Sequence, residues 1–203
     1  MRKQIKFVYF DIGGVLMRWQ GMMEAVAVKY GRTRTEVEEV YFRYDDLACR
    51  GQLTTQNAWE LVCRDLQIVS SSHIDFMTFC LETFTPIIPM HHLAKSVIRR
   101  FPLGLLTNIH KGGMELFIEK RLIPDLPYAT IVKSCDVGHI KPEKTIYDIA
   151  RKQARVRHEQ IFFADDFPQN IAAARSLGWT AVQFQTDQPD RSVKEIKKVL
   201  GVK

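Results

Sequence analysis

The sequence has no long apolar run and only 4 cysteines in 203 residues, and each scarcity excludes a class of protein. No apolar segment approaches the roughly 20 residues that a membrane-spanning helix needs. Residues 1–6 lack the apolar segment of a signal peptide, so we expect a cytoplasmic protein that does not associate with membranes. The cysteines show no CxxC spacing and no histidine at zinc-finger distance. We therefore expect reduced, buried thiols at Cys49, Cys63, Cys80 and Cys135.

The sequence also lacks a dense tract of one charge. Its 29 Lys and Arg residues outnumber 23 Asp and Glu residues, and the formal charge of +6 is spread along the whole chain. A nucleic-acid partner is therefore not expected, whereas a positive field favours the capture of small phosphorylated metabolites. The composition, with 46% apolar and 26% charged residues, is typical of a globular chain that folds alone. We expect a monomer or a weak homodimer.

Short apolar runs alternate with helical patterns through most of the chain. Strands are predicted over 5–10, 103–106, 131–132, 161–164 and 180–184, and helices over 91–100, 111–122, 143–155, 168–177 and 191–200. This alternation predicts an α/β fold with a doubly wound parallel sheet. Ligands of such sheets bind beyond the carboxyl ends of the strands.

Residues 17–88 interrupt the alternation because they contain helical patterns alone. Helices are predicted over 21–30, 35–49, 55–66 and 72–84. We therefore expect a small helical cap domain over 17–88, inserted after the first strand of a core domain formed by 1–16 and 89–203. Such a cap can close over a site and exclude water.

Several polar side chains follow the ends of the predicted strands or lie in the loops beyond. Asp11 ends the first strand, and a carboxylate in that place can attack phosphorus to form an aspartyl-phosphate. Asp165 and Asp166 are adjacent carboxylates that repel each other unless a cation lies nearby. Thr107 and Asn108 can donate hydrogen bonds to phosphoryl oxygens, and Lys141 adds a positive charge.

These residues stand in four ordered motifs that resemble those of the haloacid dehalogenase-like (HAD) hydrolase superfamily. The motifs are Asp11-Ile12-Gly13-Gly14-Val15-Leu16, Leu106-Thr107-Asn108, Lys141-Pro142 and Ala164-Asp165-Asp166-Phe167-Pro168-Gln169-Asn170, and the match spans the whole chain. The resemblance implies a Rossmann-like core and a Mg²⁺-dependent phosphohydrolase with Asp11 as its nucleophile. It implies metal ligands at Asp11, the Gly13 carbonyl and Asp166, with Asp165 close or acting through water. Thr107 and Lys141 would bind the phosphoryl group.

The sequence departs from this pattern at Gly13, where most phosphatases of the superfamily carry a second aspartate that protonates the leaving group. A positioned general acid contributes about 10²–10⁴-fold in rate. Three interpretations stay open. The substrate has a good leaving group, such as a sugar or acyl phosphate, which we favour; His110 or His139 replaces the acid; or the protein binds a phosphorylated ligand without turnover.

Other chemistries of the superfamily fit the sequence less well. Dehalogenases also lack the second aspartate, but they use no metal, and the retained Asp165-Asp166 pair disfavours that reaction. A phosphonate hydrolase needs a lysine in the insertion, where Lys29 lies in an ordinary amphipathic pattern. A phosphomutase needs the missing acid. A small phosphorylated metabolite hydrolysed with Mg²⁺ is therefore the expected substrate.

The cap offers further candidates for substrate contact. Trp19, Tyr44, Arg50 and Gln52 are predicted to face the site, because Arg50-Gly51-Gln52 interrupts two helical patterns and a loop arginine can bind an anion. His110 is a further candidate for substrate contact, because it directly follows Thr107-Asn108-Ile109. Asn170 is expected to orient the acidic loop.

Overall fold

The computed structural model describes residues 4–68 and 75–202. Its strands are β1 (Phe7–Phe10), β2 (Met17–Arg18), β3 (Thr85–Pro86), β4 (Leu103–Thr107), β5 (Thr130–Lys133), β6 (Ile161–Asp165) and β7 (Thr180–Gln183). Its α-helices are α1 (Gly21–Tyr30), α2 (Arg34–Cys49), α3 (Thr55–Asp65), α4 (Phe76–Thr83), α5 (Ile88–Val97), α6 (Gly113–Glu119), α7 (Ser134–Val137), α8 (Lys144–Ala154), α9 (Pro168–Ser176) and α10 (Pro189–Leu200). Part of the helix predicted over 72–84 lies outside the described residues.

Five parallel strands form the central sheet in the order β5-β4-β1-β6-β7. Every residue of β1, β4 and β6 is buried, which explains why their sequences are continuous apolar runs rather than alternating ones. Helices cover both faces, so the predicted doubly wound α/β fold is confirmed. Strand β1 lies at the centre, and Phe10 pairs with Leu105 and Ala164. Asp11 therefore projects from the same edge of the sheet as the ends of β4 and β6.

The two faces of the sheet carry separate hydrophobic cores. Successive side chains of a strand point to opposite faces, so Val8 and Phe10 join one core while Phe7 and Tyr9 join the other. Tyr9 stacks on Trp179 with ring centroids 5.9 Å apart. This double burial holds β1 in place and makes the position of Asp11 rigid.

Helices α1 to α4 share a third hydrophobic cluster of their own. Trp59 and Phe76 stack at its centre, with ring centroids 4.1 Å apart and an interplanar angle of 3°. The antiparallel pair β2–β3 joins these helices to the sheet, because Met17 pairs with Pro86 at the two places where the chain leaves and re-enters the core. None of the helices in the described ranges is long and apolar enough to cross a bilayer.

Some elements differ from the predicted bounds for local reasons. Helix α6 begins at Gly113 rather than 111, because His110–Gly113 form a turn in which the Gly113 N–H bonds to the His110 carbonyl. The single turn of α7 was missed, since four residues are too few for a periodic signal. Helix α10 begins at Pro189, which is a favourable first residue because proline needs no N–H partner there.

Candidate active site

Lys141 lies between two carboxylates at the carboxyl edge of the sheet. Its Nζ is 2.9 Å from Asp11 Oδ1 and 2.5 Å from Asp165 Oδ2, and all three residues are buried. Burial alone would lower the pKa of Lys141, but the two carboxylates outweigh it and raise that pKa. The ammonium therefore stays charged and holds the Asp11 carboxylate in a fixed position.

The carboxylate of Asp165 accepts hydrogen bonds from three residues, Lys141, Phe167 and Asn170. Asn170 Nδ2 donates to Asp165 Oδ1 and Oδ2 at 3.0 and 3.1 Å, and the Phe167 N–H donates to Oδ1 at 2.8 Å. The Asn170 carbonyl in turn accepts a bond from the Tyr147 hydroxyl at 3.0 Å. Asp165 thus anchors Lys141 and the acidic loop, and Asn170 lies where it can orient that loop.

Asp166 has the opposite environment. Its Oδ1 is buried and has no hydrogen-bond partner among the described residues. Burial raises the pKa of Asp166 to about 8, with repulsion from Asp11 and Asp165 adding to it and Lys141 opposing it. Burial likewise raises the pKa of Asp11 to about 7, although Lys141 opposes the shift. Both raised pKa values mean that, near neutral pH, these carboxyl groups take up protons more readily than an exposed aspartate, and a further positive charge would oppose this.

The donor set fits a hard divalent cation. Asp11, Asp165 and Asp166 each place an oxygen atom within 4.8 Å of the others. Three carboxylates face one lysine, so the site carries more negative than positive groups, and the unpartnered Asp166 oxygen is a free ligand. The role of the Gly13 carbonyl stays a prediction.

Gly14 makes room for the Asp166 carboxylate. A Cβ atom on Gly14 would lie 2.0 Å from Asp166 Oδ2, which no side chain can occupy, and the backbone of Gly14 has φ +73°. Sequence reasoning did not single out this glycine for a role in the site. The signal available in the sequence was the Gly13-Gly14 pair itself. A glycine is favoured where the backbone has a positive φ or where a neighbouring atom takes the place of a Cβ.

Asn108 has a role that was not predicted. Its Nδ2 donates to the Lys141 carbonyl at 3.0 Å, and its Oδ1 accepts from the Lys141 N–H at 2.8 Å. The side chain therefore fixes the backbone of the lysine, and Asn108 also lines the cavity, so its contact with a phosphoryl group stays a prediction. Thr107 is buried and lines the cavity, as a phosphoryl-binding hydroxyl must.

Ser134 supports the same loop and was missed from the sequence. Its Oγ accepts from the Ile109 N–H at 3.0 Å, so it holds the turn that follows Thr107 and Asn108. A buried serine in a short helix gives no sequence signal, because its partner is distant in the chain.

A cavity of about 380 Å³ opens above these residues, between the sheet edge and the helices α1, α2 and α4. The floor contains Asp11, Thr107 and Lys141. Most of the wall is apolar and is contributed by Met17, Met22, Phe42, Phe76, Phe84 and Phe117. A substrate group above the carboxylates would therefore meet hydrocarbon and aromatic surface.

Trp19 lies directly over the position of the missing acid. A Cβ atom on Gly13 would be 3.1 Å from Trp19 Cδ1 and 3.3 Å from Nε1. The indole is half-buried, lines the cavity and meets Phe42 edge to face. The structure thus brings Trp19 to the site, where it fills the space that a longer side chain at residue 13 would use.

Three other cap residues lie away from the cavity. The Tyr44 hydroxyl donates to Asp65 Oδ2 at 2.6 Å and so ties α2 to α3. Arg50 forms an ion pair with Glu143, and its Nη1 donates to the Gly138 carbonyl at 3.4 Å. Gln52 is exposed. The structure therefore does not bring Tyr44, Arg50 and Gln52 to the cavity, since the first two are bonded to protein carboxylates and Gln52 does not line it.

The two histidines proposed to replace the acid have different surroundings. His110 lines the cavity, with Nε2 2.8 Å from Asp45 Oδ1 and Nδ1 3.2 Å from Thr55 Oγ1, so both of its nitrogens are engaged by the cap. His139 Nδ1 is 3.0 Å from Glu143 Oε2, at the contact between Arg50 and the core. His139 does not line the cavity, so the structure favours His110 over His139 as a substitute acid.

Sequence comparison gives a distant relative and no matching family model. The chain is 26% identical over 215 residues to acyl-CoA dehydrogenase family member 10 of Mus musculus, an alignment that covers 98% of this chain. It spans only 19% of that relative's length. The relative's activity as a whole therefore does not transfer to this chain.

Solved structures give a closer match in three dimensions. A HAD family enzyme of Bacteroides thetaiotaomicron, in complex with magnesium and inorganic phosphate, superposes with a TM-score of 0.69 at 17% identity. The match covers 90% of this chain and 95% of that one. The chain has the haloacid dehalogenase-like fold. The fold predicted from the four motifs is thereby confirmed.

The HAD-like fold alone does not select a reaction. The L-2-haloacid dehalogenase of Xanthobacter autotrophicus, with chloropropionic acid covalently bound, also superposes with a TM-score of 0.69, at 15% identity over 89% of this chain and 78% of that one. A HAD-like fold thus occurs both with magnesium and phosphate and with a covalent halogenated acid. The side chains of the site must decide between such reactions.

Proposed function

We propose that the protein is a Mg²⁺-dependent phosphohydrolase that forms an aspartyl-phosphate on Asp11. One observation carries this proposal: three carboxylates face a single buried lysine, and one oxygen of Asp166 has no partner among the described residues. A cation site beside a nucleophilic carboxylate serves phosphoryl transfer, where two negative groups must meet. A dehalogenase needs no cation here, so an acidic cluster with an unpartnered oxygen favours phosphoryl transfer over that reaction.

In the proposed first step, a carboxylate oxygen of Asp11 attacks the phosphorus of the substrate, and the bond from phosphorus to the leaving oxygen breaks. Lys141 fixes the Asp11 carboxylate through their 2.9 Å ion pair and offers positive charge next to the incoming phosphoryl group. Thr107 lies on the cavity floor, where its hydroxyl can donate to a phosphoryl oxygen.

In the second step, the oxygen of a water molecule bonds to the phosphorus, the bond between phosphorus and the Asp11 oxygen breaks, and inorganic phosphate leaves with the hydroxyl of that water, whose other proton passes to solvent or to the phosphate; the Asp11 carboxylate is restored. Asp11, Asp166 and, directly or through water, Asp165 would hold the Mg²⁺ ion, which, when bound, neutralises the excess negative charge and the repulsion between Asp11 and the phosphate. Asp165 also holds Lys141 and the acidic loop in position, because it accepts hydrogen bonds from the Lys141 ammonium and from the Phe167 N–H.

The leaving group is constrained by two features. Gly13 provides no acid, so the leaving oxygen departs without a proton from that residue. The cavity wall near the cap is mostly apolar, with Met22, Phe42, Phe76 and Phe84, although Asp45, Asp46 and Thr55 also line it, and the larger apolar share favours an apolar group. Of the substrates with good leaving groups, we therefore favour an apolar acyl or aryl phosphate over a sugar phosphate.

A substrate panel tests the proposal. Hydrolysis of acetyl, benzoyl and 4-nitrophenyl phosphate, glucose 1-phosphate and 2-chloropropionate is measured with Mg²⁺ and with a chelator. We expect Mg²⁺-dependent release of phosphate that is fastest for the benzoyl and 4-nitrophenyl compounds, and no release of chloride. Turnover of 2-chloropropionate that is independent of metal would instead establish a dehalogenase, and tight phosphate binding without turnover would establish a phospholigand sensor.

Two variants test the chemical step. Asp11→Asn keeps the size of the nucleophile but removes its charge, so we expect at least a ~10³-fold loss of kcat. The matched control is Asp187→Asn, an exposed aspartate beyond the sheet, which should retain full activity. Reduction of the trapped acyl phosphate with borohydride should convert Asp11 to homoserine, detectable by mass spectrometry; an unmodified Asp11 in a turning-over enzyme would contradict the mechanism.

A further inference from the structure

A second cluster of potential metal ligands lies in the cavity wall, where the cap meets the core. Asp45 and Cys49 are one turn apart on α2 and project from the same face of that helix. His110 approaches them from the turn after β4. The three residues place an oxygen, a sulfur and a nitrogen within 4.8 Å of one another.

The distances within the cluster are close to those of a coordination sphere. His110 Nε2 is 2.8 Å from Asp45 Oδ1, and Cys49 Sγ is 3.8 Å from Asp45 Oδ2. Ligands of a tetrahedral Zn²⁺ ion, bound at about 2.0–2.3 Å, lie roughly 3.4–3.6 Å apart. Shifts of about 1 Å or less in the side-chain atoms would therefore suffice to accept an ion.

The imidazole is also oriented as a metal ligand requires. Nδ1 of His110 is 3.2 Å from the Thr55 hydroxyl, which leaves Nε2 directed at Asp45 and Cys49. A ligating histidine usually has its other ring nitrogen bonded in this way, because the bond fixes the ring and its tautomer. Cys49 is buried and the side chain of His110 is 10% exposed, so the cluster is screened from bulk water.

We propose that Asp45, Cys49 and His110 form a binding site for a thiophilic transition-metal ion of the Zn²⁺ class, separate from the Mg²⁺ site. The thiolate and imidazole select such an ion, whereas the all-oxygen set at Asp11, Asp165 and Asp166 selects a hard one. With three protein ligands, a fourth position faces the cavity and can take water or a substrate group.

The protons balance in a simple way. The Cys49 thiol loses one proton to solvent as sulfur binds the ion. In the metal-free site His110 Nε2 donates its proton to Asp45 Oδ1, which can only accept; on metal binding the ring proton moves to Nδ1, where Thr55 Oγ1 accepts it, and the Nε2 lone pair becomes available to the ion. Asp45 exchanges its bonds to sulfur and nitrogen for a bond to the ion. One proton is released per ion bound.

Metal binding would link the cap to the core, because Asp45 and Cys49 belong to α2 and His110 belongs to the loop after β4. Sequence spacing could not indicate this site, since no CxxC or nearby histidine pair is present. The inference does not depend on phosphatase activity, and its test measures binding and spectra rather than turnover.

The test uses Zn²⁺ and Co²⁺ on the whole metal-free protein. Zn²⁺ affinity is measured by competition with a chromophoric chelator, and Co²⁺ binding by absorption. We expect one Zn²⁺ per chain at this cluster and a near-ultraviolet thiolate-to-Co²⁺ band. Cys49→Ser should remove the band and weaken Zn²⁺ binding about 100-fold, and Thr55→Val should weaken it about 10-fold.

Two control variants separate this site from its neighbours. Cys80→Ser changes another buried cap thiol that lines the same cavity but is outside the cluster, and Asp166→Asn disables the oxygen site. Both should keep the band and the Zn²⁺ affinity. A wild-type Co²⁺ spectrum without a thiolate band overturns the proposal without any variant. Zn²⁺ affinity that survives Cys49→Ser, or falls equally in Cys80→Ser, overturns it as well.

Discussion

The Asp166 carboxylate occupies the space that a side chain at Gly14 would need. A Cβ atom on Gly14 would lie 2.0 Å from Asp166 Oδ2. The glycine also has φ +73°, a conformation that side chains rarely adopt. A backbone property of the first motif therefore determines where a carboxylate of the fourth motif can lie. This relationship joins two segments that are far apart in the chain.

Gly14→Ala is expected to displace Asp166 and weaken Mg²⁺ binding, with loss of activity. The matched control is Gly138→Ala, which has the same φ of +73° but no atom within 4 Å of the added Cβ. Both substitutions should cost about 1–2 kcal/mol of stability from backbone strain, measured by urea unfolding. Only Gly14→Ala should lower the Mg²⁺ affinity, measured by calorimetry. Equal Mg²⁺ affinity in the two variants would contradict the steric relationship.

The acidic site should make stability fall with rising pH when metal is removed. The pKa of Asp166 is raised to about 8 in the folded chain, from the ordinary value of 3.8, so between these values the folded state binds the extra proton. Stability is then lost as pH rises towards 8, by at most about 1.4 kcal/mol per pH unit for one proton. Asp11, with a pKa raised to about 7, adds to the slope below that pH.

Unfolding is best measured between pH 6.5 and 8.5, because burial lowers the pKa of His91 below 6.5 and gives an opposite slope under that value. Saturating Mg²⁺ should flatten the curve, since the ion replaces the protons. Asp166→Asn should make the metal-free curve shallower, with the contribution of Asp11 remaining. A metal-free wild type whose stability rises over this window would refute the assignment.

Sequence patterns predicted the parts of the site that depend on local order. Asp11, Thr107 and Asp165 were found because each ends a buried apolar strand, and the carboxyl ends of parallel strands share one edge. The contacts of Arg50 and Tyr44 could not be found in this way. Their partners, Glu143 and Asp65, are set by the packing of helices, and a charged or hydroxyl side chain in a helical pattern does not reveal its direction.

The same limit applies to Asn108 and Trp19. Asn108 follows Thr107 in a phosphate-binding motif, which favoured a phosphoryl contact, yet its amide is complementary to both backbone groups of Lys141. The position of Trp19 over Gly13 depends on the turn after β1 and on the β2–β3 pair. Neither the contacts of Asn108 nor the position of Trp19 depends on a repeating sequence pattern.

The Arg50–Glu143 ion pair should attach the cap to the core weakly. Both side chains are partly exposed, at 26% and 34%, so a double-mutant cycle with Arg50→Ala and Glu143→Gln should give a coupling of about 0.3–1 kcal/mol. High salt should reduce it. Arg43→Ala, which removes an ion pair within the cap, is the control and should show no coupling to Glu143. A KM for phosphate esters that rises more than 10-fold in Arg50→Ala would restore Arg50 as a substrate contact.

Restoring an acid at residue 13 should fail unless Trp19 is also removed. The backbone of Gly13 accepts a side chain, but a Cβ there meets the indole at 3.1 Å, so the ring must shift even for that atom, and a longer side chain directed towards it needs a larger shift. We expect Gly13→Asp alone to give no gain in rate on phosphate esters with poor leaving groups. Gly13→Asp/Trp19→Ala should gain about 10²-fold on those esters relative to Trp19→Ala, because a positioned acid can then protonate the leaving oxygen.

The dependence of kcat/KM on leaving-group pKa, across a series of substituted phenyl phosphates, separates acid catalysis from a change in binding. An acid helps poor leaving groups most, so the slope of the double variant should be flatter than that of Trp19→Ala, while 4-nitrophenyl phosphate should change little. Trp19→Ala itself keeps Gly13 and should keep the steep slope of the wild type. A flat slope in Gly13→Asp alone would show that the indole moves aside, and that Trp19 is not what keeps an acid out of this site.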